Sequence, residues 1–442
     1  MSLIKLSGTA LAGLLCVATI QAEPKPNARI LTASERQTAL TDIKKVFQER
    51  YVFPEMRPAI IERLDQQQRA GRYDTDDPIA FAERITEDLR DVSHDKHLSL
   101  TLDPKEYAAR LAPPKSDEGE EASFRRQAIR DHYGLSEMKI LPGNVRYLKI
   151  AGFEWVRDET GAAYDDAMRF LKDGDAVVID IRGNGGGSHA AVRYLVSHFL
   201  PEDKLLLTFY AGSETPVQSH TVEYLPAGRL IGKPLYVLID NGVASAGEDF
   251  AYTVEQFRVG ELVGSKTVGA ANNNDLLPIA PGFILSVSFG RPVHPVSKGN
   301  WEGVGINPTV EVRPSQALEV AQSLALKRLT ENPGVSPESL AEYTWARIAI
   351  DAKLYPVTIS SERLSALAGR YGDIAVDFRD GALWLSRPNR PTAPLSPLTA
   401  DGLFAIDGVE RLRVRLTGQK LELLLRGQPA PRVFARNNAA RG

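Results

Sequence analysis

Three kinds of apolar spacing divide the chain. Between residues 30 and 92, apolar side chains recur every three or four positions: Leu40, Ile43 and Phe47, then Ile60, Ile61 and Leu64, then Phe81, Ala82, Ile85 and Leu89. Each set forms one stripe on a helix, and three such helices assemble most simply as a small bundle. Ser34 is the expected cap of the first helix, and Pro78 sits early in the third. In SHDKHLSLTLDP the spacing changes. Leu98, Leu100 and Leu102 alternate with polar residues, which predicts a strand. The acidic, proline-led stretch from Pro113 to Ala122 predicts a mobile loop or linker.

From about Met138 the pattern becomes strand, loop, helix. VRYLKI, AVVIDI and PLYVLID are short apolar runs, and helical spacing follows each of them: Ala162 to Leu171, then Val192, Leu195, Val196 and Phe199, then Phe250, Ala251, Val254 and Phe257. Such alternation predicts an α/β layered core. LVGSKTVGA and FILSVSFGRPVHPV add further strands. Past Leu364, the pairs IAVDF-RDG-ALWLS and LRVRL-TGQ-KLELLL read as hairpins turning at Asp380-Gly381 and Thr417-Gly418. The expected division is therefore a helical region over 23–112 ending in the HDKH strand, a linker or lid over 113–136, a core over 137–333, a connector over 334–360 and a small all-β module over 361–437.

Residues 1–22 stand apart. Lys5, the apolar run Ala10 to Ile20 and the small Ala22 have the form of a signal peptide cleaved after Ala22. The run is shorter than the ~20 residues a spanning helix needs. Leu15 before Cys16 argues against a lipoprotein signal. Export to the periplasm or beyond follows, with no stable membrane insertion after cleavage. Cys16 is the only cysteine, so the mature chain would have no disulfide, no thiolate nucleophile and no Cys-ligated metal. The net charge of -3 gives no basic footprint for nucleic acid.

Two loops carry candidate chemistry. DIRGNGGGS, Asp180 to Ser188, places three consecutive glycines between a strand and a helix. Such a loop before a helix can bind phosphate, but it lacks both the spaced G-x-G-x-x-G and a G-K-[ST] ending, so nucleotide binding is weakly supported beside a tight turn and an oxyanion site. DNGVASAGEDF, Asp240 to Phe250, places Ser245 at the next strand-to-helix junction. Ser245-x-x-Glu248 has the form of a capping box, and on local pattern alone that reading leads. The other reading is a nucleophile with the amide of Ala246 behind it at a helix N-terminus. A nucleophilic serine needs a base. His94 and His97 lack a third ligand at metal spacing, His189 reads as helix surface, and His198 as packed or solvated.

Taken in order, SHDKHLSL, DIRGNGGGS, NGVASAGEDF, VGSKTVGA and WEGVGINPTVEV resemble the tail-specific (C-terminal processing) serine peptidase family, in its tricorn-core and interphotoreceptor retinoid-binding protein-like branch. The resemblance spans roughly residues 30 to 315 and leaves the C-terminal hairpins outside. It implies an α/β fold with a crotonase-like ββα superhelix core and a helical N-terminal domain. It implies Ser245 as nucleophile, His97 as general base and Glu302 as the carboxylate completing the histidine's network. The amides of Ala246 and of the Gly185-Gly186 turn would form the oxyanion hole. The substrate would be a peptide or protein, with no cofactor and no metal.

The chain departs from the family pattern in several places. No lysine occupies Gly269-Ala270-Ala271, where the bacterial processing enzymes carry their base, and Lys266 lies earlier. Lys96 replaces the serine beside the histidine. Gly305-Ile306-Asn307-Pro308-Thr309 replaces G-V-x-P-D, and no PDZ segment is recognisable. Two other functions use the same features. A non-catalytic binder of a hydrophobic molecule or peptide would keep Ser245 as a cap and the glycines as turns. Alternatively the β module would bind ligand while the core positions it.

Overall fold

The computed structural model describes residues 30–112, 117–211 and 215–437, so the expected signal peptide and Cys16 lie outside the described residues. The first helix, Ala33–Arg50, is capped by Thr32 rather than Ser34. Thr32 Oγ1 accepts the Glu35 N–H at 3.2 Å, and Glu35 Oε2 accepts the Thr32 N–H at 2.9 Å. A reciprocal box satisfies two orphan donors where a lone serine satisfies one. Helices Arg57–Arg69 and Pro78–Ser93 follow, the latter capped by Asp77. Their apolar stripes, including Phe47, Leu64, Phe81 and Ile85, share one core with Leu100, Phe283, Leu285 and Val287. Those last residues belong to strands Ser99–Leu102 and Phe283–Val293, which pair antiparallel with Ser99 opposite Ser286. The segment ending the helical region is thus fastened to a strand from the far end of the core. Strands Leu205–Ala211, Val217–His220 and Asn273–Ile279 complete this five-stranded sheet.

A second sheet has six strands, in the spatial order Val310–Glu311, Glu261–Gly264, Leu235–Ile239, Ala176–Asp180, Val145–Ile150 and Leu135–Leu141. All neighbours are parallel except the last pair. Leu148, Ile150, Val177, Ile179, Val237 and Ile239 face helices Arg157–Lys172, His189–Ser197 and Ala246–Gln256. The alternate residues, among them Tyr147, Val178, Tyr236 and Leu238, face helix Ala317–Thr330. Helices on both faces explain why these strands are apolar throughout. Ile179 lies opposite Val237, so the loops leaving these two neighbouring strands emerge side by side at their C-terminal ends. In open parallel sheets that edge is where ligands bind.

Two other regions frame the core. Much of the stretch expected as a linker is a helix, Asp117–Arg130, and the strand after it already begins at Leu135. The charge of the segment suggested solvation, but its Glu, Ala, Gln and Arg residues are good helix formers. At the C-terminus, eight consecutive strands from Gly369–Tyr371 to Arg432–Ala435 form an antiparallel meander. A bridge between Tyr371 and Arg436 nearly closes it into a barrel around Phe404, Val376, Leu385 and Val414. Asp380 and Gly381 both have positive φ (52° and 76°), as a two-residue hairpin turn requires. The barrel is tied to helix Pro337–Leu354 by Arg426 pairing with Glu342, and by Arg413 stacked 3.9 Å over Trp345. No helix among the described residues is long and apolar enough to cross a membrane.

Candidate functional site

The glycine loop and the serine loop are laced together. Asp240 Oδ1 accepts the N–H of Gly183 and of Gly242, each at 2.9 Å. The Ala244 N–H donates to Asn184 O at 3.1 Å, and buried Asn184 anchors its own amide on Ile150 O at 3.1 Å. Asp180 closes the base of the loop. Burial pushes its carboxyl up, but hydrogen bonds from Arg182 and Tyr147 outweigh burial and hold it below the usual carboxylate range. The Arg182 guanidinium also reaches Pro314 O, which ties the loop to the start of the last core helix.

Ser245 sits at φ 51° and ψ -120°, a left-handed conformation that costs a non-glycine residue on the order of 1–3 kcal/mol. This strained joint turns the chain from the strand into helix Ala246–Gln256. Glu248 supplies its half of the expected box, its Oε2 accepting the Ser245 N–H at 3.1 Å. Gly186 packs directly on the serine. A Cβ at Gly186 would lie 2.8 Å from Ser245 Cβ and 3.0 Å from the Ala246 nitrogen. The Gly186 N–H, expected to serve the oxyanion hole, is instead donated to Asn184 Oδ1 at 2.8 Å. A Cβ at Gly185 would meet nothing within 4 Å, and the Gly185 amide is the other donor of the expected pair.

His97 and Glu302 meet on the other side. His97 Nδ1 lies 3.5 Å from Glu302 Oε2 and 3.8 Å from Asp95 Oδ1, and forms no hydrogen bond at either distance. The His97 N–H donates to Asp95 Oδ1 at 3.0 Å, fixing the turn that presents the ring. Glu302 Oε2 accepts the amides of Ala271 and Asn272 at 2.6 and 2.9 Å, and its Oε1 accepts the Lys96 N–H at 3.2 Å. Burial raises the Glu302 carboxyl, but His97 and these amides outweigh it and keep it ionised below its ordinary value. Asp95 is the reverse case. Burial and the neighbouring Glu302 charge hold it above its ordinary value.

Among the described residues no Ser245–His97 hydrogen bond is formed. Such bonds are often long before substrate binds. The two residues are joined through the loop from Thr267 to Asn272. Glu248 holds its first half, where the Lys96 ammonium also reaches Val268 O, and Glu302 holds its second half. Ligand-type atoms of Asp95, His97 and Glu302 lie within 4.8 Å of one another. Sequence spacing gave no third ligand there. Backbone amides already engage both carboxylates, an arrangement suited to orienting an imidazole. Sequence reasoning missed Asp95 and the buried role of Glu248. It also took His189 for helix surface, whereas both ring nitrogens are engaged. Only the S-x-x-E spacing pointed to any of these.

Residues 144–312 match the model of a family described as Peptidase family S41, and residues 26–135 match the N-terminal domain of Peptidase S41 in eukaryotic IRBP. The chain belongs to peptidase family S41. The S41 segment contains Ser245, Glu302 and the glycine loop, and the N-terminal segment contains His97. The chain is 26% identical over 182 residues to the carboxy-terminal processing protease CtpB of Bacillus subtilis (strain 168), covering 40% of this chain and 36% of the relative. It is 26% identical over 177 residues to the chloroplastic C-terminal processing peptidase of Tetradesmus obliquus, covering 38% of this chain and 35% of the relative. The alignments thus span about a third of the length of these S41 relatives. A solved photosystem II D1 C-terminal processing protease aligns over 66% of this chain and 98% of its own, at 16% identity and a TM-score of 0.45.

Proposed function

We propose that this chain is a serine peptidase that cleaves peptide bonds through an acyl-enzyme on Ser245. The observation that carries the reading is the strained Ser245 joint, packed under the glycine turn with the Ala246 amide at the helix N-terminus beside it. A plain cap has no use for that strain. His97 takes the Ser245 proton as the hydroxyl attacks a peptide carbonyl. The Ala246 N–H and a donor of the Gly185-Gly186 turn stabilise the tetrahedral oxyanion. His97 then gives the proton to the leaving amine, and water repeats the sequence to release the acid. Glu302 holds the imidazole and balances its charge. The substrate is a peptide or protein, the core is a crotonase-like superhelix beside a helical N-terminal domain, and the mature protein is exported.

Fluorophosphonate labelling of the purified protein tests this. Wild type labels on Ser245, and both Ser245→Ala and His97→Ala lose the label while keeping their folded spectra. Equal labelling of all three proteins, or a folded wild type that takes no label, would sink the peptidase reading and leave a binder on the same fold.

A further inference from the structure

A second imidazole lies between the two loops. His189 opens helix His189–Ser197, and its predecessor Ser188 directly follows the three glycines. His189 Nδ1 lies 2.6 Å from Asp249 Oδ2, and Nε2 lies 2.7 Å from Ser219 Oγ. A carboxylate only accepts, so Nδ1–H donates to Asp249; the Ser219 hydroxyl can accept as well as donate and so serves Nε2 in either form of the ring. Asp249 is only 4% exposed and stands one turn after Ser245 on the same helix. Ser219 belongs to strand Val217–His220 of the five-stranded sheet. The Phe209 ring meets the imidazole edge-on, with centroids 4.9 Å apart.

Both ring nitrogens are occupied by protein, so the imidazole is built as a brace. What it braces follows from the site. The proposed oxyanion donors come from two separate chain segments, the glycine turn and the helix opened by Ser245. Their backbone link is the bond from Ala244 N–H to Asn184 O. The His189–Asp249 bond is a side-chain link between the same two segments, placed on the other side of the glycines. We propose that His189 is a positioning residue that holds the glycine turn in register with the Ser245 helix, with Asp249 as its anchor and Ser219 as its outer support. The inference rests on the peptidase reading of Ser245. A 1 Å misplacement of such donors typically costs on the order of 10² in rate.

The test is the fluorophosphonate labelling rate, measured separately from the labelling end point. His189→Ala is expected to reach the wild-type end point roughly 10²-fold more slowly. His189→Asn puts an amide nitrogen near the Nδ1 position, keeps the Asp249 bond and recovers most of the rate. His189→Gln reaches toward Ser219 instead and recovers little. A general loss of folding would lower the end point, not the rate. If His189→Ala does not reach the end point, the Asn and Gln variants decide. Asn faster than Gln supports the brace, and equal rates overturn it. A His189→Ala protein that labels at the wild-type rate overturns the inference while leaving Ser245 as nucleophile. Unlabelled wild type overturns both. Label found on Ser219 in a Ser245→Ala background also overturns the brace, since the trio would then be a second nucleophilic site.

Discussion

Glu248 and Glu302 hold consecutive halves of one loop. Glu248 accepts the amides of Gly269 and Ala270 at 2.6 and 2.8 Å, and Glu302 accepts those of Ala271 and Asn272 at 2.6 and 2.9 Å. Glu248 rides on the Ser245 helix, and Glu302 lies against His97. Four successive amides therefore tie the Ser245 helix to the His97 side of the candidate site, although those residues come from distant parts of the chain. A loop gripped this way carries any displacement of one half to the other.

Glu248→Ala should accordingly damage both fold and site. It removes the acceptor for three backbone amides and for the Thr267 hydroxyl, at a position with no exposure. Leaving such a buried donor unpaired costs ~1–3 kcal/mol. Glu248→Gln keeps the volume but turns an amide group toward donors that both carboxylate oxygens now serve. It is expected to lose nearly as much stability. Urea unfolding of the three proteins checks this, and a Gln variant as stable as wild type would contradict it.

The Glu302 carboxylate gives a pH-dependent prediction. Glu302 is held below its ordinary value in the folded chain, so it binds its proton more readily when unfolded. Its contribution to stability is present above the ordinary carboxylate range, about pH 4.3, and disappears as pH falls through the lowered folded value. Glu302→Gln should therefore be less stable than wild type at pH 7, with the difference in Tm closing on acidification. Its labelling rate at pH 7 should fall on the order of 10²-fold, because His97 loses its counter-charge. A constant Tm difference between pH 3 and 7 would count against this electrostatic role.

Asp95 should behave with the opposite sign. Burial, then the Glu302 charge, holds its carboxyl above the ordinary value, so the folded chain keeps that proton to higher pH. Its stability effect is favourable below about pH 3.9 and is lost as pH rises through the raised folded value. Asp95→Asn removes a charge that is costly at neutral pH while keeping an acceptor for the His97 N–H. The variant should melt above wild type at pH 7 and level with it near pH 3. Melting curves across that range decide the matter.

How much of this was legible in sequence depends on the distance between partners. The helical stripes, the buried strands and the Asp380-Gly381 turn are local patterns, and they appear as read. Thr32 rather than Ser34 is the cap because Glu35, three residues on, returns the bond, a signal local to the sequence. Glu248 showed only its local half. Its bonds to Thr267, Gly269 and Ala270 join segments that no periodicity connects. His189 looked like surface for the same reason, because its partners Asp249 and Ser219 reach it only through sheet and helix packing. The helix Asp117–Arg130 was obscured by charge, which indicates solvation but does not forbid helix.

The close approach of the glycine turn gives the last prediction. Gly186 has φ 112°, and a Cβ there would lie 2.8 Å from Ser245 Cβ and 3.0 Å from the Ala246 nitrogen. Gly186→Ala must therefore push the turn off the serine, with a labelling rate lower on the order of 10²-fold. Backbone strain alone would also perturb the loop, so a control is needed. Gly183 in the same loop has φ 75°, but a Cβ there meets nothing within 4 Å. Gly183→Ala carries the strain, on the order of 1 kcal/mol or slightly more, without the collision. It should lower Tm yet label at close to the wild-type rate. If both alanines slow labelling equally, strain in the loop rather than contact with Ser245 sets the rate, and the close packing of Gly186 is incidental.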